Sequence, residues 1–323
     1  MKIMTIGNAL VDLLVILPSD AVLKKLNLIK GSMQLIDEHQ RAKILQEVKA
    51  YPQKLVSGGS AANTAVGMGR LGMDVTYVGA IGLDDLGEFF KKDMEKQGVK
   101  TLFESYPTPT GVSIVLVSPD GERTFATYLG AALSLSENIF LQSIHNENFD
   151  CLYVEGYLVD NEEFLTKIIH SAVKRNIQIA IDLANFAVVE AKKAYLQHLI
   201  ESYINIVFAN NEECVAYCHA TPTNSVNYWQ KLPVLAVLKM GKEGSMVVRG
   251  EEVIHVPAYD VQVVDTTGAG DLFAAGFMYG LSHGWPLQKC LTVGNLLASE
   301  VIQVIGAKLT EEMWEKIKKL IRE

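Results

Sequence analysis

Asp265-Thr266-Thr267-Gly268-Ala269-Gly270-Asp271 is the stretch on which the reading of this chain turns. It follows a strand-like apolar run, Val261–Val264, and opens an apolar segment, Leu272–Leu281, that reads as a helix. Gly268, Ala269 and Gly270 therefore offer unhindered backbone N–H groups at a helix N-terminus, where the peptide dipoles also favour an anion. An acidic residue in the first turn commonly does no more than stabilise the helix start. That accounts for Asp271 but not for three small residues in a row between two aspartates. With a phosphate on those amides, Asp271 is placed to take the proton of an attacking hydroxyl while the amides stabilise the transferring group.

Outward from this motif, short β-rich apolar runs alternate with helix-length segments. Lys2–Ile6, Val75–Val78, Cys151–Val154, Ile177–Ile181, Ile204–Phe208 and Val234–Leu238 read as strands. Asp85–Gln97, Glu162–Arg175 and Asn210–His219 read as amphipathic helices. The rhythm predicts an α/β sandwich of three layers, with helices on both faces of a mostly parallel sheet. A hairpin, Ser245–Arg249 with Val253–Val256, is expected to extend that sheet. Two stretches break the rhythm: Leu13–Ile36, and Thr110–Tyr128 around the turn Ser118-Pro119-Asp120-Gly121. Both fit a small antiparallel sheet standing off the main body as a lid, built from about 12–37 and about 103–130. No repeat or linker interrupts the chain, so 1–323 is expected to fold as one unit.

Composition narrows the function. The 323 residues are 49% hydrophobic and 20% charged, which is globular and not disordered. Lys plus Arg is 29 against 37 for Asp plus Glu, a net charge of −8. Without a basic block, neither nucleic acid nor an anionic membrane is an expected partner. A small anionic ligand is not excluded, because backbone amides bind phosphate locally. Nothing reaches the ~18 consecutive apolar residues of a membrane span. The opening Met1–Gly7 reads as a buried strand rather than a signal peptide, since Asn8 and Asp12 interrupt it. A cytoplasmic protein is expected.

Other motifs weigh less. Gly67-Met68-Gly69-Arg70-Leu71-Gly72 matches a dinucleotide-binding pattern, but a helical run precedes it and a strand follows, the reverse of the required context. Gly72 reads as a helix C-terminus, and Gly67 and Gly69 as points of close helix packing. An oxidoreductase is disfavoured accordingly. Gly241-Lys242 is followed by Glu243, so no Walker loop is present. Cys214 and Cys218, with His219 beside them, lack a second metal-ligand pair and read as small packed thiols. Ser57-Gly58-Gly59-Ser60-Ala61-Ala62-Asn63 allows two readings: an ordinary capped helix, or a close backbone approach to a ligand with the Asn63 amide suited to a sugar hydroxyl. A non-catalytic sugar-binding protein would share the fold and have no need of Asp271.

Together these motifs resemble the PfkB, or ribokinase-like, kinase family, over essentially the whole chain. The resemblance implies the ribokinase-like α/β sandwich with its β lid, ATP and Mg2+ as cofactors, and a small-molecule nucleoside or sugar as acceptor. It implies a catalytic Asp271 with Gly268, Ala269 and Gly270 as the anion hole. Asp12, Gly58, Gly59 and Asn63 match the family's substrate-binding positions. Asn210 and Glu213 match an N-x-x-E motif linked to Mg2+ through water, and their helical spacing puts both on one face. Lys239, Gly241 and Gly244 match the nucleotide-side loop, although Lys239 stands where some members have Thr. Asn295 falls beside the nucleotide, and Asp265, Thr267 and Gly306 near a monovalent cation such as K+.

The acceptor is less defined. Lys30–Ile36, with Gln34 as a substrate contact, and Glu122–Phe125 and Leu129–Ala132 look more like the adenosine kinase branch than the ribokinase branch. Tyr157 falls where that branch has aromatic residues, although packing explains it equally. The expected reaction is phosphorylation of a primary hydroxyl of a nucleoside, with a sugar as the alternative acceptor. The expected assembly is a monomer or a homodimer through the lid.

Overall fold

The structure, a computed structural model, describes residues 1–322. The first part of the chain runs β1 (Lys2–Ile6), β2 (Leu10–Ile16), α1 (Ala21–Leu26), β3 (Met33–Leu35), α2 (Glu38–Val48), β4 (Gln53–Gly58), α3 (Ser60–Arg70), β5 (Asp74–Gly82), α4 (Asp85–Lys96), β6 (Lys100–Tyr106), β7 (Gly111–Val117) and β8 (Arg123–Tyr128). The middle alternates α5 (Glu137–Asn146), β9 (Cys151–Glu155), α6 (Glu162–Lys174), β10 (Gln178–Asp182), α7 (Phe186–Ala191), α8 (Lys193–Ser202), β11 (Ile206–Asn210), α9 (Asn211–Cys218), α10 (Val226–Trp229) and β12 (Leu235–Lys239). The hairpin β13 (Ser245–Arg249) and β14 (Glu252–Val256) follows, then α11 (Ala269–Ser282), α12 (Leu287–Val301) and α13 (Glu311–Arg322).

Nine strands form the main sheet in the order β14-β13-β12-β11-β10-β9-β1-β5-β6. All neighbours from β12 to β6 are parallel, and the β13–β14 hairpin extends one edge antiparallel. The parallel strands are buried on both faces, which is why their sequences are nearly continuous apolar runs. Ile3, Tyr77, Tyr153 and Phe208 pack on one face with α3, α11 and α12. Met4, Ile6, Leu152 and Ile179 pack on the other with α5, α6 and α8. Gly67 meets α11 with no room for a side chain, since a Cβ there would lie 2.5 Å from the Ala275 methyl. Gly67 and Gly69 thus lie inside a helix at points of close packing, and not in the strand-to-helix turn that a dinucleotide site requires.

A second sheet has the order β3-β8-β7-β2-β4. It differs from expectation in three ways. It includes β4, whose mostly exposed first half carries no alternating signal. It is mixed rather than antiparallel, because β2 pairs with β7 and β3 with β8 in parallel, across long excursions of chain. Residues 103–106 belong instead to β6, on the edge of the main sheet. One face of this sheet packs Leu13, Ile114 and Ala126 against α1 and α2. The other carries Asp12, Ser113, Thr127 and Leu35 in one cross-strand row, and Leu14, Val115, Phe125 and Met33 in the next.

Val261–Val264 forms no strand. β14 already ends the main sheet, and the Val264 amide bonds the Ile302 carbonyl beyond α12 instead of a strand. Among the described residues no helix is long and apolar enough to cross a membrane.

Candidate active site

Four of the parallel strands end on a polar residue at the same edge of the sheet: β9 on Glu155, β10 on Asp182, β11 on Asn210 and β12 on Lys239. The carboxyl edge of a parallel sheet is where such folds gather ligand-binding groups. The N-termini of α3 and α11 meet at this edge. There Asp271 Oδ1 accepts from the Ser60 hydroxyl at 2.7 Å, and its Oδ2 from Asn63 Nδ2 at 2.9 Å. Burial raises the Asp271 carboxyl to about 6, against the opposing pull of those two donors. Asn63 Oδ1 is buried and has no donor.

Gly268, at φ +78°, begins α11, and a Cβ on it would lie 2.5 Å from that of Ala307, so only glycine fits. At the helix start the Ala269 amide donates to the Thr266 carbonyl at 3.2 Å. Lys239 Nζ lies 3.2 Å from where a Cβ on Gly270 would stand and donates to Asp182 Oδ2 at 2.8 Å. Burial works against the Lys239 ammonium, but Asp182 and Glu213 more than compensate and hold its pKa above the usual value. The first turn of α11 thus has a cation beside it.

Asp12 projects from β2 toward the same space. Gly58 lies directly under its carboxylate, where a Cβ would come within 2.3–2.5 Å of the carboxyl atoms. Gly59, at φ +93°, turns the chain into α3 against the Asn8 carbonyl. Burial raises Asp12 to about 7. Glu155 is also raised to about 7 by burial, although it accepts from Asn8 Nδ2 at 2.8 Å and from the Ala61 amide at 2.9 Å. It fastens the start of α3 to β9.

Asn210 and Glu213 form a reciprocal capping box on α9: Glu213 Oε2 accepts from the Asn210 amide and Oε1 from its Nδ2, both at 2.7 Å, while Asn210 Oδ1 takes the Glu213 amide at 2.9 Å. Burial raises Glu213 to about 7. Among the described residues no group of three His, Cys, Asp or Glu side chains could by itself hold a metal ion. The box fits an ion held through water and brought by the nucleotide, since each Glu213 oxygen accepts only one bond and Mg2+ readily keeps its waters. Gly241 and Gly244 flank a tight turn after β12. Cys214 is buried and Cys218 half-buried, both as free thiols.

The geometry corrects two expectations and details a third. The strand register puts Gln34 opposite Ala126, on the face covered by α1 and α2, where its amide donates to Ser32 Oγ. The β3 residues facing the site are its neighbours Met33 and Leu35, because successive side chains alternate. Asn295 spends both amide hydrogens on the Val256 and Pro257 carbonyls, at 3.2 and 3.1 Å, and so ties a loop to α12 instead of offering donors to a nucleotide. Asp265, Thr267 and Gly306 do meet, around the Asp265 carboxylate. Asp265 Oδ1 accepts from the Thr267 amide and hydroxyl, and Oδ2 from the Gly306 amide at 2.6 Å. The Arg123 guanidinium of β8 lies 2.6 Å from that second oxygen and also donates to Thr267 Oγ1. Burial would raise Asp265, but these bonds hold it below its usual value.

Sequence reading passed over Glu155, Asp182, Ser60, Arg123 and Lys308. Only the polar last residue shared by neighbouring strands could have drawn attention to the first two.

The chain is similar to known proteins over most of its length. A model of the pfkB family of carbohydrate kinases matches residues 32–313. Adenosine kinase of Saccharomyces cerevisiae is 28% identical over 96% of this chain and 97% of its own. Among solved structures, adenosine kinase from Sinorhizobium meliloti is 34% identical, with a TM-score of 0.86 and 99% of both chains covered. A probable sugar kinase from Rhizobium etli is 33% identical, also at 0.86, covering 99% of this chain and 98% of that one. A loop of amides at a helix start, a buried carboxylate oriented by two donors and a match across most of the sequence have one common explanation: the chain belongs to the pfkB carbohydrate kinase family and is a kinase that phosphorylates a hydroxyl group.

Proposed function

We propose that the protein transfers the terminal phosphoryl group of ATP to the 5′-hydroxyl of a purine nucleoside. The observation that carries the nucleoside reading is the inner face of the second sheet. Asp12 shares that face with Phe125, Met33 and Leu35, and Met33 and Leu35 are 53% and 65% exposed. A flat base would cover this apolar ledge, whereas a free sugar would leave it in water. The likeness to adenosine kinases over nearly the whole chain supports the same reading.

Asp12 and Asn63 would hold the ribose hydroxyls, with the backbone at Gly58 and Gly59 close against the sugar. Asp271 takes the hydroxyl proton as the new O–P bond forms and the bond from phosphorus to the ADP oxygen breaks. The amides of Gly268, Ala269 and Gly270 and the Lys239 ammonium meet the charge on the transferring group. Magnesium, when bound with the nucleotide through Glu213 and Asn210, would neutralise further phosphate charge. The second sheet acts as a lid, latched by Arg123, that limits hydrolysis of ATP by water.

The test is ADP release with Mg-ATP across adenosine, inosine, guanosine, ribose, fructose and 2-keto-3-deoxygluconate. Preference for a purine nucleoside is expected. Preference for a free sugar would overturn the nucleoside reading and leave the kinase standing.

A further inference from the structure

We propose that Lys308 is a positioning residue for the acceptor: its buried ammonium, fastened to Ser57 and Asp93, is the counter-charge that keeps Asp12 available as an anion for substrate hydroxyls. The inference rests on the reading of Asp12 as the group that holds the acceptor.

Lys308 lies in the loop between α12 and α13. Its Nζ donates to Ser57 Oγ at 2.8 Å and lies 3.8 Å from Asp93 Oδ2. Ser57, near the end of β4, gives both its amide and its hydroxyl to the same Asp93 oxygen, at 3.1 and 2.6 Å. The hydroxyl has one proton, spent on Asp93, so it receives Lys308 as an acceptor. The β4–α4 contact is therefore closed by Ser57 and Asp93 without help from a lysine. A buried ammonium added to it carries a desolvation penalty that one carboxylate at 3.8 Å offsets only in part. Burial accordingly holds the Lys308 ammonium below its usual pKa despite Asp93 and Asp12.

What lies on its other side gives the ammonium a role. Lys308, Ser57, Asp12, Arg123 and Thr267 line one cavity of about 20 Å³, between the inner face of the second sheet and the anion loop. Among the described residues Asp12 accepts no side-chain or amide hydrogen bond outside its own strand pairing. Of the charges acting on it, Lys308 is the largest that favours the carboxylate; Asp271 opposes it, and Arg123 adds less. Arg123 is committed to Asp265 and Thr267. Lys308 is thus the cation left for Asp12. Without it, the Asp12 carboxyl, enclosed beside Asp271 and already raised by burial, would be held more in its protonated form, which accepts less well from two hydroxyls of a ribose.

The experiment compares kcat and KM for adenosine, 2′-deoxyadenosine and 3′-deoxyadenosine in wild type, Lys308→Met, Asp12→Asn and the double variant. Wild type is expected to favour adenosine over at least one deoxy form by ~10-fold or more in kcat/KM, the worth of a hydrogen bond to a charged group. Lys308→Met should shrink that preference to within about threefold, mainly through KM for adenosine, and should add little on top of Asp12→Asn. Asp93→Asn, which loosens the clamp but leaves the ammonium, should keep the preference. Equal losses for all three acceptors in Lys308→Met, or an unchanged preference, would overturn the inference and leave Lys308 a fold-holding residue. Should Lys308→Met fail to fold, Lys308→Gln is read in the same way. A wild-type protein that uses a sugar and no nucleoside overturns the nucleoside reading alone; the comparison is then made with that sugar and its deoxy form.

Discussion

Asn63 donates from Nδ2 to Asp271 Oδ2 at 2.9 Å, across a sequence separation of 208 residues. The bond joins the first turn of α3 to the first turn of α11. With Ser60 on the other oxygen, it fixes the plane of the carboxylate. Neither donor can take the proton that a base must accept, so the two bonds orient Asp271 without competing with its task. They do favour the charged form, and burial outweighs them.

Asp271→Asn is expected to lower kcat by ~10² or more while leaving acceptor binding largely intact, as loss of a general base would. Initial rates and acceptor titration by calorimetry check both parts. Near-normal turnover would remove Asp271 from the role of base. The same substitution should raise the unfolding temperature, because it removes a carboxylate that the fold holds in an environment hostile to its charge.

The pH dependence has a definite sign. Burial holds Asp271 at about 6 in the folded protein, above the usual aspartate range. kcat should therefore fall below about pH 6, as the base becomes protonated. Stability should run the other way. Asp12, Glu155 and Glu213 are raised to about 7. Between about pH 4 and 7 the native state thus binds more protons than the unfolded chain, and the free energy of unfolding decreases as pH rises. Thermal melts of the ligand-free protein from pH 5 to 8 check this. A melting temperature that climbs with pH over that range would contradict the burial argument.

Much of this was legible before the structure, for physical reasons that differ by element. The parallel strands announce themselves because burial on both faces favours short, nearly continuous apolar runs, as in Val234–Leu238 and, but for Gln178, Ile177–Ile181. The Asp265–Asp271 motif stands out because three small residues in a row, one of them a glycine held at positive φ against Ala307, lie between two aspartates. β4 was not, since Gln53–Leu55 is exposed and lacks alternation. Gln34 was misplaced because a one-residue step along a strand exchanges its faces. Glu155 and Asp182 are single carboxylates with no local pattern; only the strand order brings them to the same edge.

Monovalent cations should matter little. Asp265 meets two donors from Thr267, the Gly306 amide and the Arg123 guanidinium. A hard cation needs several oxygen ligands, and this carboxylate is already committed, so turnover should agree within about twofold in potassium, sodium and tetramethylammonium salts at equal ionic strength. Activation by potassium of ~10-fold or more would mean that Arg123 leaves Asp265 during turnover.

Arg123 makes the last prediction the sharpest for the second sheet. Its guanidinium crosses from β8 to Asp265 and Thr267, so it links the inner face of the second sheet to the loop that enters α11. Arg123→Ala removes that link and leaves Asp12, Asn63 and Asp271 in place. If the sheet is a lid, the variant should transfer phosphate more slowly, by ~10-fold or more, and should release more ADP without acceptor, because water gains access to the same phosphoryl group. Measuring ADP release with and without acceptor separates the two effects. A variant slowed in transfer with no rise in the acceptor-free rate would assign Arg123 to charge stabilisation alone and leave closure to other contacts of the sheet.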